Sequence, residues 1–319
     1  MNNIIIESMA FTLPLFIIAI GGIFCEGSGV INLALEGLLG MGAFFGGLAV
    51  AILTSTFVDS QSALVYISLF AAMAGGAFFA MLFALIVLKF QANQVISGVV
   101  INMLAVSLTA FLTNQLNVSF FGQSSNKFVL FIFPRVTVPF ISKVPILGAF
   151  FTDVYVFEFI IIAVALFMAY ILYKTPFGMR LRACGDNPQA VAAAGQNVTH
   201  IRFIAILISG AMAGLGGICF AYSISTNFSP SIFVGYGFLA IAAYIFGNWK
   251  ISNTFLACLI FGFARSIGYF FVQQLSLPSS YSDLVLTFPY VLTLLLLLFF
   301  SKTNKAPQAL GEIYDKGKR

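Results

Sequence analysis

Four side chains in this sequence sit where polar chemistry is costly. Asn32, Glu36, Asn102 and Arg265 each fall inside a long apolar run, and hydrocarbon tolerates such groups only where they have a partner or a task. Asn32 and Asn102 carry amides that could hydrogen-bond a polar ring or a sugar along a solute path. Glu36 lies four residues beyond Asn32, which on a helix would put both on one face, close to Gly27 and Gly29, where the helix could break. The competing reading keeps all four structural. In it, Glu36 and Arg265 pair with each other or with backbone, and the asparagines tie helices together.

The second chemistry-bearing stretch is openly polar: GMRLRACGDNPQAVAAAGQNVTHIR, residues 178–202. Asp186 and Asn187 can accept bonds from the free amides of a helix start, and Pro188 suits the first helical position. Gln189 to Ala194, with Ala190 and Ala193 among them, propagate the helix, and Gly195 supplies a left-handed stop. The predicted helix is about seven residues and ~10 Å long, too short to cross a bilayer. Gly178, Gly185 and Gly195 read as sharp entries and exits. Arg180, Arg182 and Arg202 read as charge held at the membrane surface.

Missing motifs narrow the function. There is no G-x-x-x-x-G-K-[ST] phosphate loop and no H-E-x-x-H pair, and the single histidine, His200, stands at the end of the polar stretch. Cys25, Cys184, Cys219 and Cys258 show neither metal-ligand spacing nor a disulfide framework, and read as small apolar fillers. The formal charge of +5 comes with no basic and aromatic groove for nucleic acid. No enzyme activity, no metal and no nucleic-acid partner are expected of this chain.

The elements that must position these residues follow from hydropathy. Of the 319 residues, 61% are hydrophobic and 8% charged, against about 25% charged in soluble domains. Apolar runs at 8–24, 30–54, 64–88, 95–116, 154–173, 201–221, 231–247, 253–273 and 284–301 approach the ~20 residues of a membrane-crossing helix. They predict an all-α integral membrane protein of nine transmembrane helices, since strand alternation is absent. Met1 to Glu7 has no basic residue, so the first run is expected to remain as a span. Of the 15 Lys and Arg, 11 fall on one side, which places the C-terminus inside and the N-terminus outside.

One transmembrane domain, 1–301, is expected, with an inner loop at 174–202, an outer loop at 117–153 and an inner tail at 302–319. The outer loop holds Pro134, Pro139 and Pro145 and is apolar enough to lie on the membrane surface, as a docking surface or as a cover. Glycine rows at 37–47, 75–76 and 210–217 permit close helix crossings, and the first and last of these hint at two related halves.

Two of these stretches carry a family resemblance. GGIFCEGSGVINLALEGLLGMGAFFGG (21–47) resembles the start of permease subunits of ABC importers in the branched-chain amino acid, ribose and nucleoside group. Residues 178–222 resemble that group's long cytoplasmic loop and the small-residue helix after it, and VPILGAFF (144–151) is a weaker match. Gly27 departs from the pattern, which usually has a basic residue there. The resemblance implies that the loop is a coupling helix seated in an ATPase subunit, with Arg180, Arg182, Gly185, Asp186, Asn187, Pro188, Ala190, Ala193 and Gly195 at the contact. It implies ATP and magnesium on that partner, a second permease subunit, identical or related, an extracytoplasmic solute-binding protein, and a place among the lipids of a bacterial cytoplasmic membrane. The SGVINLALEG form is more like nucleoside and simple-sugar permeases, so nucleosides are the expected solute, with riboflavin and simple sugars as alternatives. An ion-coupled secondary transporter is the competing class, with Glu36 and Arg265 as its coupling candidates.

Overall fold

The computed structural model describes residues 2–54, 61–139, 147–231, 233–274, 287, 291 and 305–314. Among them the chain forms α1 (Asn2–Gly27), α2 (Leu35–Leu53), α3 (Gln61–Ala84) with a π-helical extension over Leu85–Lys89, α4 (Gln94–Phe121) and α5 (Val156–Lys174). It continues with α6 (Pro176–Asp186), α7 (Pro188–Ala193), α8 (Val198–Ile224), α9 (Tyr236–Phe246) and α10 (Ile251–Gln274). Among the described residues, seven helices are long and apolar enough to cross a membrane. This is an all-α integral membrane protein.

Two predicted spans need comment. The run at 231–247 yields only α9, of 11 residues, which at 1.5 Å per residue is ~16 Å, about half a hydrocarbon core. Residues 233–235 before it are instead a turn ending in Gly235 at φ +95°. The run at 284–301 lies outside the described residues apart from Thr287 and Val291.

At the centre stand α1, α2 and α8, with α3 packed on α2 and α8. Glycine makes this possible, because a Cβ on Gly42 would collide with the backbone of Gly214, one on Gly214 with the Ala72 carbonyl, and one on Gly76 with the Gly210 carbonyl. Such backbone contact is how membrane helices gain packing energy where lipid gives no hydrophobic drive.

The loop after α4 is mostly exposed over its described part but sends the side chains of Phe128, Leu130 and Phe133 inward. Phe128 and Phe133 are buried, and β1 (Phe128–Val129) pairs antiparallel with β4 (Asn227–Phe228) at the end of α8. The Phe133 ring meets Tyr222 at 5.0 Å and Phe157 at 5.1 Å. A second short pair, β2 (Arg135–Val136) with β3 (Val154–Tyr155), closes the loop onto the start of α5. Residues 140–146, and with them part of the 144–151 stretch, lie outside the described residues.

Candidate functional site

The polar stretch folds as two helices rather than one helix in a loop. Pro176 opens α6, and the Thr175 hydroxyl accepts the Gly178 N–H at 3.3 Å. Gly178 and Gly185 therefore sit inside a helix and not at turns. A Cβ on Gly178 would strike the Ile171 and Leu172 carbonyls, and one on Gly185 the Gly27 carbonyl; these glycines serve close approach. Asp186 ends α6, and it is Asn187 that caps α7, its Oδ1 accepting the Ala190 N–H at 3.0 Å. Gly195, at φ +78°, stops the helix as the sequence requires.

Pro188 and Val191 are buried beneath α7, while Gln189, Ala190 and Ala193 face outward. Arg180 and Arg182 are exposed on α6, Arg182 donating from Nε to the Gly178 carbonyl at 3.4 Å. Arg202 is no surface charge. It is 1% exposed, and it donates from Nε to the Ser28 carbonyl at 3.1 Å and from Nη1 to the Glu312 carbonyl at 2.9 Å. Its acceptors are neutral dipoles from both ends of the chain, an arrangement that lets a cation be buried without a carboxylate.

Around Arg202 the interrupted end of α1 meets the tail. Gly29 adopts φ +92°, and residues 28–34 run without helix before α2 begins. The Ala309 N–H donates to the Gly185 carbonyl at 2.8 Å, and the Gly311 N–H to the Gly29 carbonyl at 3.0 Å. The Lys305 N–H reaches Asn248 Oδ1 at 2.8 Å. One turn earlier, the buried Glu26 carboxylate accepts the Tyr244 hydroxyl at 2.7 Å and the Trp249 indole N–H at 2.8 Å. Glu26 was not among the sequence candidates. Its signal is an acid at the end of a span, beside the Gly27–Gly29 break.

Three of the four polar groups of the apolar runs, Asn32, Glu36 and Asn102, lie along the same interruption, and Arg265 lies elsewhere, on α10. Asn32 lies in the break rather than on α2, so it shares no helix face with Glu36; its Nδ2 donates to Ser209 Oγ at 2.8 Å, and its buried Oδ1 has no hydrogen-bond partner. Asn102, on α4, accepts the Gly37 N–H at 2.7 Å and donates to the Leu33 carbonyl at 2.7 Å. It thereby pins both sides of the start of α2.

Glu36 and Arg265 do not pair. The Glu36 carboxylate accepts the N–H groups of Gly235, Gly237 and Phe238 at 2.7, 3.2 and 3.4 Å, and so occupies the positive end of α9. It also borders a narrow cleft with Gly40, Val106, Thr109 and Val234. Arg265 lies over the rings of Phe11 at 4.4 Å and Tyr269 at 4.8 Å, with the Tyr236 hydroxyl at 3.5 Å.

A short capped helix displayed at one end of a bundle of broken helices is a transporter arrangement, and the comparisons bear on which. Residues 4–297 match a family described as the branched-chain amino acid transport system permease component. The chain belongs to this family. The permease is 38% identical over 325 residues to the guanosine ABC transporter permease protein NupQ of Bacillus subtilis (strain 168), covering 100% of this chain and 98% of that one. It is 35% identical to the nucleoside ABC transporter permease protein NupC of Lactococcus lactis subsp. cremoris (strain MG1363), over 99% of this chain and 97% of that one. A putative glucose ABC transporter permease protein, TsgC13 of Haloferax volcanii, is 28% identical over 78% of this permease and 71% of its own length. No solved structure matches the permease significantly.

Proposed function

We propose that this permease forms the solute path of an ATP-driven importer of nucleosides in a bacterial cytoplasmic membrane. The observation that carries the reading is full-length similarity to two permeases named for guanosine and nucleoside transport, at 38% and 35% identity. The site agrees with an uncharged solute, because the anion position at the start of α9 is already filled by Glu36. In this reading α7 meets an ATPase subunit that holds ATP and magnesium, so the α6–α7 end faces the cytoplasm. A second permease subunit and an extracytoplasmic binding protein complete the importer. Asn32, Glu36 and Asn102 flank the path; Asn32 is the one of the three with a buried side-chain atom, Oδ1, that makes no hydrogen bond.

Uptake of labelled guanosine and adenosine by cells with the gene intact or deleted tests the solute, with unlabelled riboflavin and ribose as competitors. Deletion abolishes uptake, and neither competitor suppresses it in intact cells. Undiminished nucleoside uptake in the deletion strain would overturn the assignment. The ATPase contact is tested by Ala193→Trp, which places a large ring on the outward face of α7 and abolishes co-purification of the ATPase.

A further inference from the structure

The segment 305–314 does not behave as a loose tail. Its backbone is bonded to the α9–α10 turn through Asn248, to α6 through Gly185 and to the α1 break through Gly29, and Arg202 grips the Glu312 carbonyl from below. Ala309 is 3% exposed. A Cβ on Gly185 would lie 3.2 Å from the Pro307 side chain, so the α6 glycine leaves room for the tail as well as for Gly27.

Held in this way, the tail forms one wall of a cleft of about 320 Å³ whose other wall is the α6–α7 junction. Asp186, Asn187 and Gln189 line it from one side, and Gln308, Glu312 and Ile313 from the other. Among the described residues no lysine, arginine or histidine lines this cleft, and Asp186 and Glu312 form no ion pair. Ile313 is 51% exposed, a large apolar group standing at the rim of a polar hollow.

We propose that residues 305–314 are part of the ATPase-docking surface, and that the cleft between tail and α7 receives a basic side chain of the ATPase subunit, with Ile313 packing beside it. The proposal rests on the coupling reading of α7 and extends it from one short helix to a two-sided socket. Charge selects the occupant: a hollow with carboxylates on both walls, and no cation lining it among the described residues, is complementary to lysine or arginine. The tail's attachment to the α1 break gives the ATPase a second point of contact with the spans.

The test is co-purification of the ATPase with the tagged permease from cells expressing the complete importer, together with uptake and ATP hydrolysis. Glu312→Lys and Ile313→Asp leave the tail's backbone anchors in place. Each is expected to lower retained ATPase by about ten-fold or more, as like charges or a buried acid at an interface do, with the permease's own thermal unfolding unchanged. Retention in the wild type should weaken as salt is raised. Wild-type retention and uptake in both variants would overturn the proposal. Ala193→Trp separates the two levels: if it alone releases the ATPase, the tail's role falls and the coupling helix stands. If none of the three releases it, the coupling reading falls and takes the socket with it.

Discussion

Arg202 and Glu312 are joined through the backbone: the guanidinium donates to the Glu312 carbonyl at 2.9 Å while the Glu312 side chain is exposed. Since the same guanidinium also holds Ser28, one residue fastens the tail to the break in α1. Arg202→Met removes both bonds and leaves two carbonyls to find other donors. A bond to a charged donor contributes ~1.5–3 kcal/mol, so the variant should unfold several degrees lower and exchange the amide hydrogens of Ala309 and Gly311 faster. Size-exclusion after heating and hydrogen exchange measure the two effects. Unchanged exchange at both amides would refute the fastening role.

Glu36 gives a graded series. Glu36→Ala leaves the amides of Gly235, Gly237 and Phe238 without their acceptor, and a buried donor so stranded, as at Gly237, costs ~1–3 kcal/mol. Glu36→Gln keeps one acceptor oxygen. Uptake and thermal stability should fall in the order wild type, Gln, Ala, and equal behaviour of the two variants would contradict the capping role.

Trp249 is the sole tryptophan, so its indole reports on Glu26 directly. Removing the acceptor in Glu26→Ala lets water approach the ring. Its emission should move to longer wavelength, and iodide should quench it more strongly. An unchanged spectrum would mean that the bond does not form in the membrane.

Glycine contacts predict opposite outcomes for neighbouring positions. Gly42→Val and Gly214→Val place side chains into opposing backbone and should abolish accumulation of folded permease. Gly40→Ala meets nothing within 4 Å and should accumulate normally. Membrane-fraction immunoblots and detergent size-exclusion distinguish the two classes.

Local rules made part of this structure legible. Asn187, Pro188 and Gly195 announce a helix start and stop within ten residues, and the structure places α7 between them. The Thr175–Pro176 pair announces α6 by the same rule. The Gly27–Gly29 break was readable from residue type, because a positive φ favours glycine. Long-range partners were not readable: Glu36 caps a helix 199 residues away, and Arg202 takes carbonyls from residues 28 and 312. Hydropathy also overstated α9, because the run at 231–247 is apolar throughout and apolarity does not reveal where a helix starts.

The four cysteines, free and buried in this permease, make it a ready host for spectroscopic probes. Burial pushes the Cys184 thiol up to about 11, with Arg202 pulling it down by less, so at neutral pH it stays a protonated and weak nucleophile. A single new cysteine at Ala193, on the outward face of α7, would therefore take a maleimide dye or nitroxide far faster than the native thiols. Distances between two such labels across an assembled importer could then be followed through the ATP cycle without first stripping the native cysteines from the chain.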